Sequence, residues 1–172
     1  MKKITKLETE RLFIFPVSLD DADFVLAVHN TPKFIQFIGD RNLRIVEDAE
    51  NYIKNRFLPH YEKHGFGNCL IVEKSTGKKI GAVGVFVRDG LNVPDIGFSF
   101  LPEFEGKGYG FEASSKLMET VFTDFGLKKI SAITTKENIA SHNLIVLFFF
   151  FFLKMIKLPD DEVELMYYEI EK

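Results

Sequence analysis

The sequence predicts a mixed α/β (α+β) fold built on a mostly antiparallel sheet with flanking helices. Three β-rich runs, residues 68–73, 79–88 and 95–101, follow one another through short turns, which is the pattern of an antiparallel meander. Amphipathic helical segments precede them. A glycine-rich turn, a helix and a further strand follow, which adds one strand–helix–strand unit.

The first half of the chain begins with a short strand, residues 11–16, which ends at a proline. Ser18 then has the character of a helix N-cap, because acidic residues occupy the first turns after it. Pro32 suits the first position of a second short helix. Residues 46–63 carry apolar side chains at helical spacing and predict a longer amphipathic helix.

The second half opens with the meander, whose first hairpin turn is residues 75–77. The elements predicted after it are a helix over residues 108–125, a strand over 129–135, a short helix from about Asn138, and strands over 149–156 and 163–170.

Composition limits the class of protein. The 172 residues, with no low-complexity linker or repeat, predict a single domain spanning residues 1–172. A net charge of −3 argues against a duplex nucleic-acid binder. Cys69 is the only cysteine, so no intrachain disulfide and no zinc site of several thiolates is expected. The four histidines also lack the spacing of metal ligands, and we therefore predict no metal site. A cytoplasmic location is expected, since no apolar segment follows the basic N-terminus and the longest apolar run has ten residues, too few to span a bilayer.

The segment from residue 95 to residue 113 carries the chemistry. A strand runs into Pro102, a loop with Gly106, Gly108 and Gly110 follows, and a helix begins at once. Glycines allow backbone amides to approach a ligand, and a helix N-terminus adds free N–H groups, so this loop suits a pyrophosphate. The alternative is a tight connection that only needs positive φ. Neither the P-loop pattern nor a parallel dinucleotide-binding unit is present.

At this loop the sequence resembles the GNAT N-acetyltransferases, whose acetyl-CoA loop reads Gln/Arg-x-x-Gly-x-Gly/Ala. Residues 106–113 match the branch that acetylates ribosomal-protein N-termini, although Glu105 stands where Gln or Arg is usual. Residues 7–12, 80–84 and 134–141 extend the likeness over most of the chain. The resemblance implies a twisted sheet with a splayed central strand pair, acetyl-CoA as cofactor, and direct attack of an amine on the thioester.

The resemblance also implies roles for individual residues. A backbone amide of the splayed strand would stabilise the oxyanion, and a base, often through water, would take the amine proton. Ser141 is the remaining candidate acid, because the position of the usual tyrosine is Ile145, and Asp95 and Glu103 are the candidate bases. The implied cofactor contacts are Phe98, Phe100, Leu101, Gly106, Lys107, Gly108, Tyr109, Gly110, Asn138 and Asn143.

One segment departs from the family pattern. Relatives end the last helix with Glu-Lys-x-Gly-Phe, whereas residues 144–153 are apolar throughout and include five consecutive phenylalanines; the glycine position is Phe149 and the phenylalanine position Phe150. Two explanations stay open. Either the helix is fully buried at a subunit interface, as in a homodimer, and leads into a buried strand, or residues 144–153 carry a local sequence error, for example a compensated frameshift or misassigned residues. The kept register favours the second. In either case the run is expected to affect the last helix and next strand and not the pyrophosphate loop.

Three functions compete at this point. The first is an acetyl-CoA-dependent N-acetyltransferase acting on a protein N-terminus or a small amine. The second is a non-catalytic acyl-CoA-binding or sensing protein of the same fold, suggested by the missing acid tyrosine. The third is a nucleotide-binding regulator, which would bind ATP as well as CoA.

Overall fold

The computed structural model describes all 172 residues, and its strands form one eight-stranded sheet in the order β1-β2-β3-β4-β5-β6-β8-β7. The strands are β1 (Leu7–Glu8), β2 (Leu12–Pro16), β3 (Asn68–Glu73), β4 (Lys79–Phe86), β5 (Asp95–Phe100), β6 (Lys129–Thr134), β7 (Phe151–Ile156) and β8 (Leu165–Glu171). Every neighbouring pair is antiparallel except β5 and β6, which are parallel. The expected fold class is therefore confirmed.

Six α-helices flank the sheet. They are α1 (Ala22–His29), α2 (Pro32–Phe37), α3 (Val46–Tyr52), α4 (Leu58–His64), α5 (Tyr109–Asp124) and α6 (Ile139–Leu147). A π-helical turn, Ile53–Phe57, joins α3 to α4, so the helix expected over residues 46–63 is continuous but irregular. Pro59 lies just after this turn and has no N–H to donate, which explains why regular α-helical bonding stops there. No helix has both the length and the apolar character needed to cross a membrane.

Two apolar clusters lie on the two faces of the sheet. The larger one packs α5 residues such as Leu117 and Val121 against Ile130 and Tyr168 of the central strands. The smaller one joins α1 and α3 to Leu70 of β3. Because side chains alternate along a strand, the neighbours of Ile130 and Tyr168 in β6 and β8 point to the face opposite α5.

The phenylalanine run does not form a buried strand within the chain. Only Phe150 is buried, at the position where relatives also place phenylalanine, whereas Phe149, Phe151 and Phe152 are exposed at the end of α6 and on the edge strand β7. Phe149 adopts φ 60°, the left-handed conformation for which relatives use glycine. Within the single chain, β7 is therefore an exposed edge strand.

The same run contacts the helix that follows the glycine-rich loop. The Phe148 ring stacks on Phe111 in the first turn of α5, with centroids 4.7 Å apart and planes within 11°. The end of α6 is thus packed against the helix that follows the glycine-rich loop.

Candidate functional site

The parallel strands β5 and β6 are joined at one end only. Their single bridge pairs Asp95 with Ser131, where the Ser131 amide donates to the Pro94 carbonyl at 2.8 Å. Beyond this point the two strands diverge, so the remaining backbone of β5 has no strand partner on the β6 side. Phe98 and Phe100, expected to offer backbone groups to a pantetheine arm, follow this point on the open side. Leu101, expected to do the same, donates its amide to the Ile80 carbonyl of β4 and accepts the Phe104 amide, both at 3.0 Å, so its backbone groups are already used.

The glycine-rich loop lies at the open end of this gap and leads into α5. Gly106 and Gly108 have φ of 70° and 81°, and Gly108 is the N-cap of α5. The amides from Gly106 to Phe111 donate to no protein acceptor. This row of free N–H groups at a helix N-terminus is suited to a diphosphate, so the residues present fit the CoA pyrophosphate.

An ion-pair cluster from the N-terminal strands holds the loop. The Arg11 Nε donates to Glu112 in the first turn of α5 at 2.7 Å, and its Nη1 donates to the Lys107 carbonyl at 3.0 Å. The Thr9 hydroxyl donates to Glu112 at 2.6 Å. Partial burial raises the pKa of Glu112, but the hydrogen bonds from Thr9 and Arg11 outweigh burial and keep that pKa below its usual value.

Two further contacts tie the loop to its surroundings. The Tyr109 hydroxyl donates to the buried Glu73 of β3, which also accepts the Thr76 hydroxyl at 2.6 Å; these bonds lower the pKa of Glu73. Glu105 forms an ion pair with Lys33 of α2. The carboxylate that departs from the family pattern therefore has a local counter-charge.

The start of α6 carries the polar residues for which the resemblance implies contacts with the cofactor. Asn138 is its N-cap, and its side-chain oxygen accepts the Ser141 amide at 3.2 Å. The half-buried Ser141 hydroxyl has no protein hydrogen-bond partner, and neither does the buried Thr135 hydroxyl just after β6. Asn143 is exposed one turn further on. The segment for which the resemblance implies contacts with the thiol and pantetheine therefore holds hydroxyl groups without a protein partner.

His142 connects α6 to the sheet. Its Nε2 is 3.1 Å from the Thr135 carbonyl, so this nitrogen carries the proton, and its Nδ1 accepts from the buried Tyr168 hydroxyl at 3.3 Å. Burial raises the pKa of Tyr168. This pair was not predicted, because it requires knowing that α6 packs over β8.

The two predicted carboxylate bases lie far apart along β5. Asp95 is buried at the closed end of the gap, where the Arg88 Nε donates to it at 2.5 Å; burial raises the pKa of Asp95, and Arg88 offsets part of this. Glu103 is exposed in a 3-10 turn, Pro102–Phe104, at the open end. The structure does not bring the two together.

A pocket on the opposite face from α5 was also missed by the sequence reasoning. It has a volume of about 260 Å³ and lies between residues 90–92 of the β4–β5 loop and the β7–β8 hairpin; we call it the hairpin pocket. Its polar floor is Glu169, which accepts the Tyr167 hydroxyl at 2.6 Å. Glu169 pairs with Ser131, so this floor lies beside the point where β5 and β6 diverge.

A sheet opened between two parallel strands, with the free amides of a helix N-terminus at the open end, is the arrangement expected of the acetyltransferases that the sequence resembles. The match to a family model agrees: residues 11–146 fit the Acetyltransferase (GNAT) domain. The chain therefore belongs to the GNAT acetyltransferase family. The matched region ends just before the phenylalanine run.

Individual proteins support the same assignment. Uncharacterized N-acetyltransferase YoaA of Bacillus subtilis (strain 168) is 27% identical over 141 residues, which cover 81% of this chain and 79% of that protein. The ribosomal-protein-S5-alanine acetyltransferase of Vibrio fischeri superposes with a TM-score of 0.76 at 18% identity, covering 98% of this chain and 97% of that one. The microcin C7 self immunity acetyltransferase MccE, solved with acetyl-CoA and AMP, superposes with a TM-score of 0.78 at 17% identity, covering 95% and 94%. At these identities the structures show the fold, and the expected resemblance is confirmed.

Proposed function

We propose that this acetyltransferase transfers an acetyl group from acetyl-CoA to a primary amine, either a protein N-terminus or a small molecule. The observation that carries the proposal is the row of unpartnered amides, Gly106 to Phe111, at the start of α5 beside the β5–β6 gap. Acetyl-CoA use follows from the family, and it agrees with the acetyl-CoA complex of MccE. The ribosomal-protein acetyltransferase of similar fold supports a protein N-terminus as one acceptor class.

In this proposal the chain supplies binding, orientation and proton transfer. Amides of Gly106 to Gly110 hold the diphosphate, and backbone groups of Phe98 and Phe100 hold the extended arm in the gap. A bound thioester supplies an activated acetyl group with a fair leaving group. A free N–H of β5 stabilises the oxyanion, and the unpartnered Ser141 hydroxyl donates a proton to the departing thiolate.

Isothermal titration with CoA and with ATP, followed by a thiol-release assay over an amine panel, tests the proposal. We expect CoA to bind more tightly than ATP, and at least one amine to release thiol from acetyl-CoA. CoA binding without turnover of any amine would instead support the acyl-CoA sensor. Equal affinity for ATP would support the nucleotide regulator.

A matched pair of glycine variants tests the loop assignment. Gly108→Trp is expected to abolish CoA binding while the fold is kept, because a side chain would fill the space before the helix amides; an added Cβ lies only 3.4 Å from the Arg11 side chain. Gly77→Trp is the control, since Gly77 also has positive φ, 70°, but lies in the β3–β4 turn with no atom within 4 Å of an added Cβ. Unchanged CoA affinity in Gly108→Trp would contradict the assignment.

A further inference from the structure

The hairpin pocket lies beside the end of the gap in the sheet. Tyr168 and Ile130 pack in the core on the α5 side, so Tyr167, Glu169 and Ser131, which alternate with them, point to the other face. Ser131 is also the residue at which β5 and β6 separate. An arm that enters the gap from the glycine-rich loop and runs down it therefore points its end toward this pocket.

The pocket is small and closed at one side. Its volume of about 260 Å³ is below the range of roughly 300–1,000 Å³ that accommodates drug-sized ligands. The β4–β5 loop touches the hairpin at its rim, since a Cβ on Gly90 would lie 2.6 Å from Pro159. These dimensions suit a ligand close to the size of one amino acid, and they leave little room for a folded polypeptide surface.

Two charged side chains of opposite sign line this pocket. The Glu169 side chain is 18% exposed and is held by the Tyr167 hydroxyl and by Lys129, whose Nζ lies 3.5 Å from it. Burial and then the bond to Glu169 raise the pKa of Tyr167 to about 12, so Tyr167 remains a donor that orients the carboxylate. Lys154 is exposed at the rim, with its Nζ 5.8 Å from the centre of the Tyr167 ring. An anion and a cation thus flank one aromatic ring.

We propose that the acceptor is a small zwitterion, a primary amine that also carries a carboxylate, whose ammonium group binds Glu169 and whose carboxylate binds Lys154. The inference rests on the proposed function and narrows its substrate class. Glu169 accepts one proton from the ammonium group, and the neutral nitrogen attacks the thioester carbonyl. The C–N bond forms and the C–S bond breaks. The Ser141 hydroxyl gives its proton to the thiolate, which leaves as CoA thiol, and takes the second nitrogen proton in return. Glu169 then releases its proton to water.

Amine pairs that differ only in the carboxylate test the inference directly. Phenylalanine with phenethylamine, and lysine with cadaverine, are compared by kcat/KM in the thiol-release assay. The carboxylate-bearing member is expected to be preferred by about twofold to fivefold, the effect of one ion pair with an exposed lysine. Lys154→Glu is expected to reverse the preference, and Lys157→Glu is the matched control, because Lys157 lies on the same hairpin but does not line the pocket. The proposal would be overturned by a higher kcat/KM for the carboxylate-free member or for a peptide N-terminus. It would also be overturned if the kcat/KM ratio within each pair were the same in Lys154→Glu and Lys157→Glu.

Glu169 is tested separately from Lys154. Glu169→Gln is expected to raise KM for both members of each pair and to lower kcat, with partial recovery in Glu169→Asp, while CoA affinity stays unchanged. Unaltered KM and kcat in Glu169→Gln would overturn its role.

If no amine is turned over, the proposed catalysis is wrong. Binding of the same amines to the hairpin pocket is then measured by saturation-transfer NMR on CoA-saturated protein. Binding of the zwitterion that is lost in Lys154→Glu and kept in Lys157→Glu supports the inference. Absence of zwitterion binding overturns it.

Discussion

Replacing Arg11 with alanine is expected to loosen the pyrophosphate loop and weaken CoA binding. The side chain makes three contacts there: the ion pair with Glu112, the bond to the Lys107 carbonyl and a cation–π contact 4.4 Å from the Tyr109 ring. The Arg11 side chain is 43% exposed, so the ion pair and the cation–π contact contribute about 0.5 kcal/mol each, and the carbonyl bond about 1 kcal/mol. We expect the free energy of unfolding to fall by about 2 kcal/mol.

CoA affinity is expected to fall for a second reason. Without Arg11, Glu112 keeps its charge in the first turn of α5, next to the amides that would hold a diphosphate. A charge at about 8 Å in water costs about 0.5 kcal/mol for each unit of phosphate charge, and the loosened loop adds to this. The combined effect is an increase in the Kd for CoA of about threefold to tenfold.

Titration calorimetry with CoA and urea unfolding measure the two effects. Arg44→Ala is the matched control, because Arg44 forms an exposed pair with Asp40 away from the loop. In the double variant Arg11→Ala/Glu112→Gln, the unpaired Glu112 carboxylate is also removed. We expect this variant to recover part of the CoA affinity but none of the lost free energy of unfolding. If Arg11→Ala matches Arg44→Ala in both measurements, the loop-clamp explanation is wrong; if the double variant recovers no affinity, the electrostatic part is wrong.

Three further predictions concern catalysis, pH and the phenylalanine run. Ser141→Ala is expected to lower kcat about tenfold with unchanged CoA affinity, a modest loss because a thiolate leaves readily; an unchanged kcat in the thiol-release assay would exclude Ser141 as the acid. Burial lowers the pKa of His29 to about 4, so the unfolded chain binds a proton first as pH falls below about 6.5. The free energy of unfolding should therefore fall by up to about 3 kcal/mol between pH 6.5 and 4 in urea titrations, and His29→Phe should remove most of this slope. Phe149→Gly is expected to raise the thermal midpoint, since the side chain is 78% exposed and the left-handed conformation costs a non-glycine residue about 1 kcal/mol. Phe150→Gly should lower that midpoint, because Phe150 is buried; equal shifts in the two variants would contradict the assignment of the helix exit.

The parts of the fold that depend on local pattern were predictable. The glycine-rich loop and the start of α5 follow from glycine spacing and the sequence after Pro102, and α5 begins within one residue of the expected position. Strand β3 has the expected bounds, because alternation and turn residues define it. These features require no knowledge of what lies across the sheet.

The contacts that hold the candidate site could not be predicted in the same way. Arg11 and Glu112 are 101 positions apart, and Tyr109 and Glu73 are 36 apart. Such pairs depend on the order of the strands, which periodicity does not contain. Glu169 became a candidate only when the register placed it opposite Ser131. Asp95, which as a strand-end carboxylate could have been solvated, is instead buried against Arg88.

In the phenylalanine run, the backbone keeps the helix exit and strand register of the family pattern although the side chains differ from that pattern. Phe149 occupies the left-handed helix exit and Phe150 fills the core position, so the register needed for β7 to pair with β8 is kept. Val146 and Leu147 are exposed at the end of α6, and Phe151 and Phe152 are exposed on the edge strand β7, where apolar side chains cost little folding energy but favour association. Phe148 is different, because its ring stacks on Phe111 one residue after Gly110. A change in the conformation of the end of α6 is therefore expected to shift the first turn of α5. We expect Phe149→Gly to change the Kd for CoA as well as the thermal midpoint.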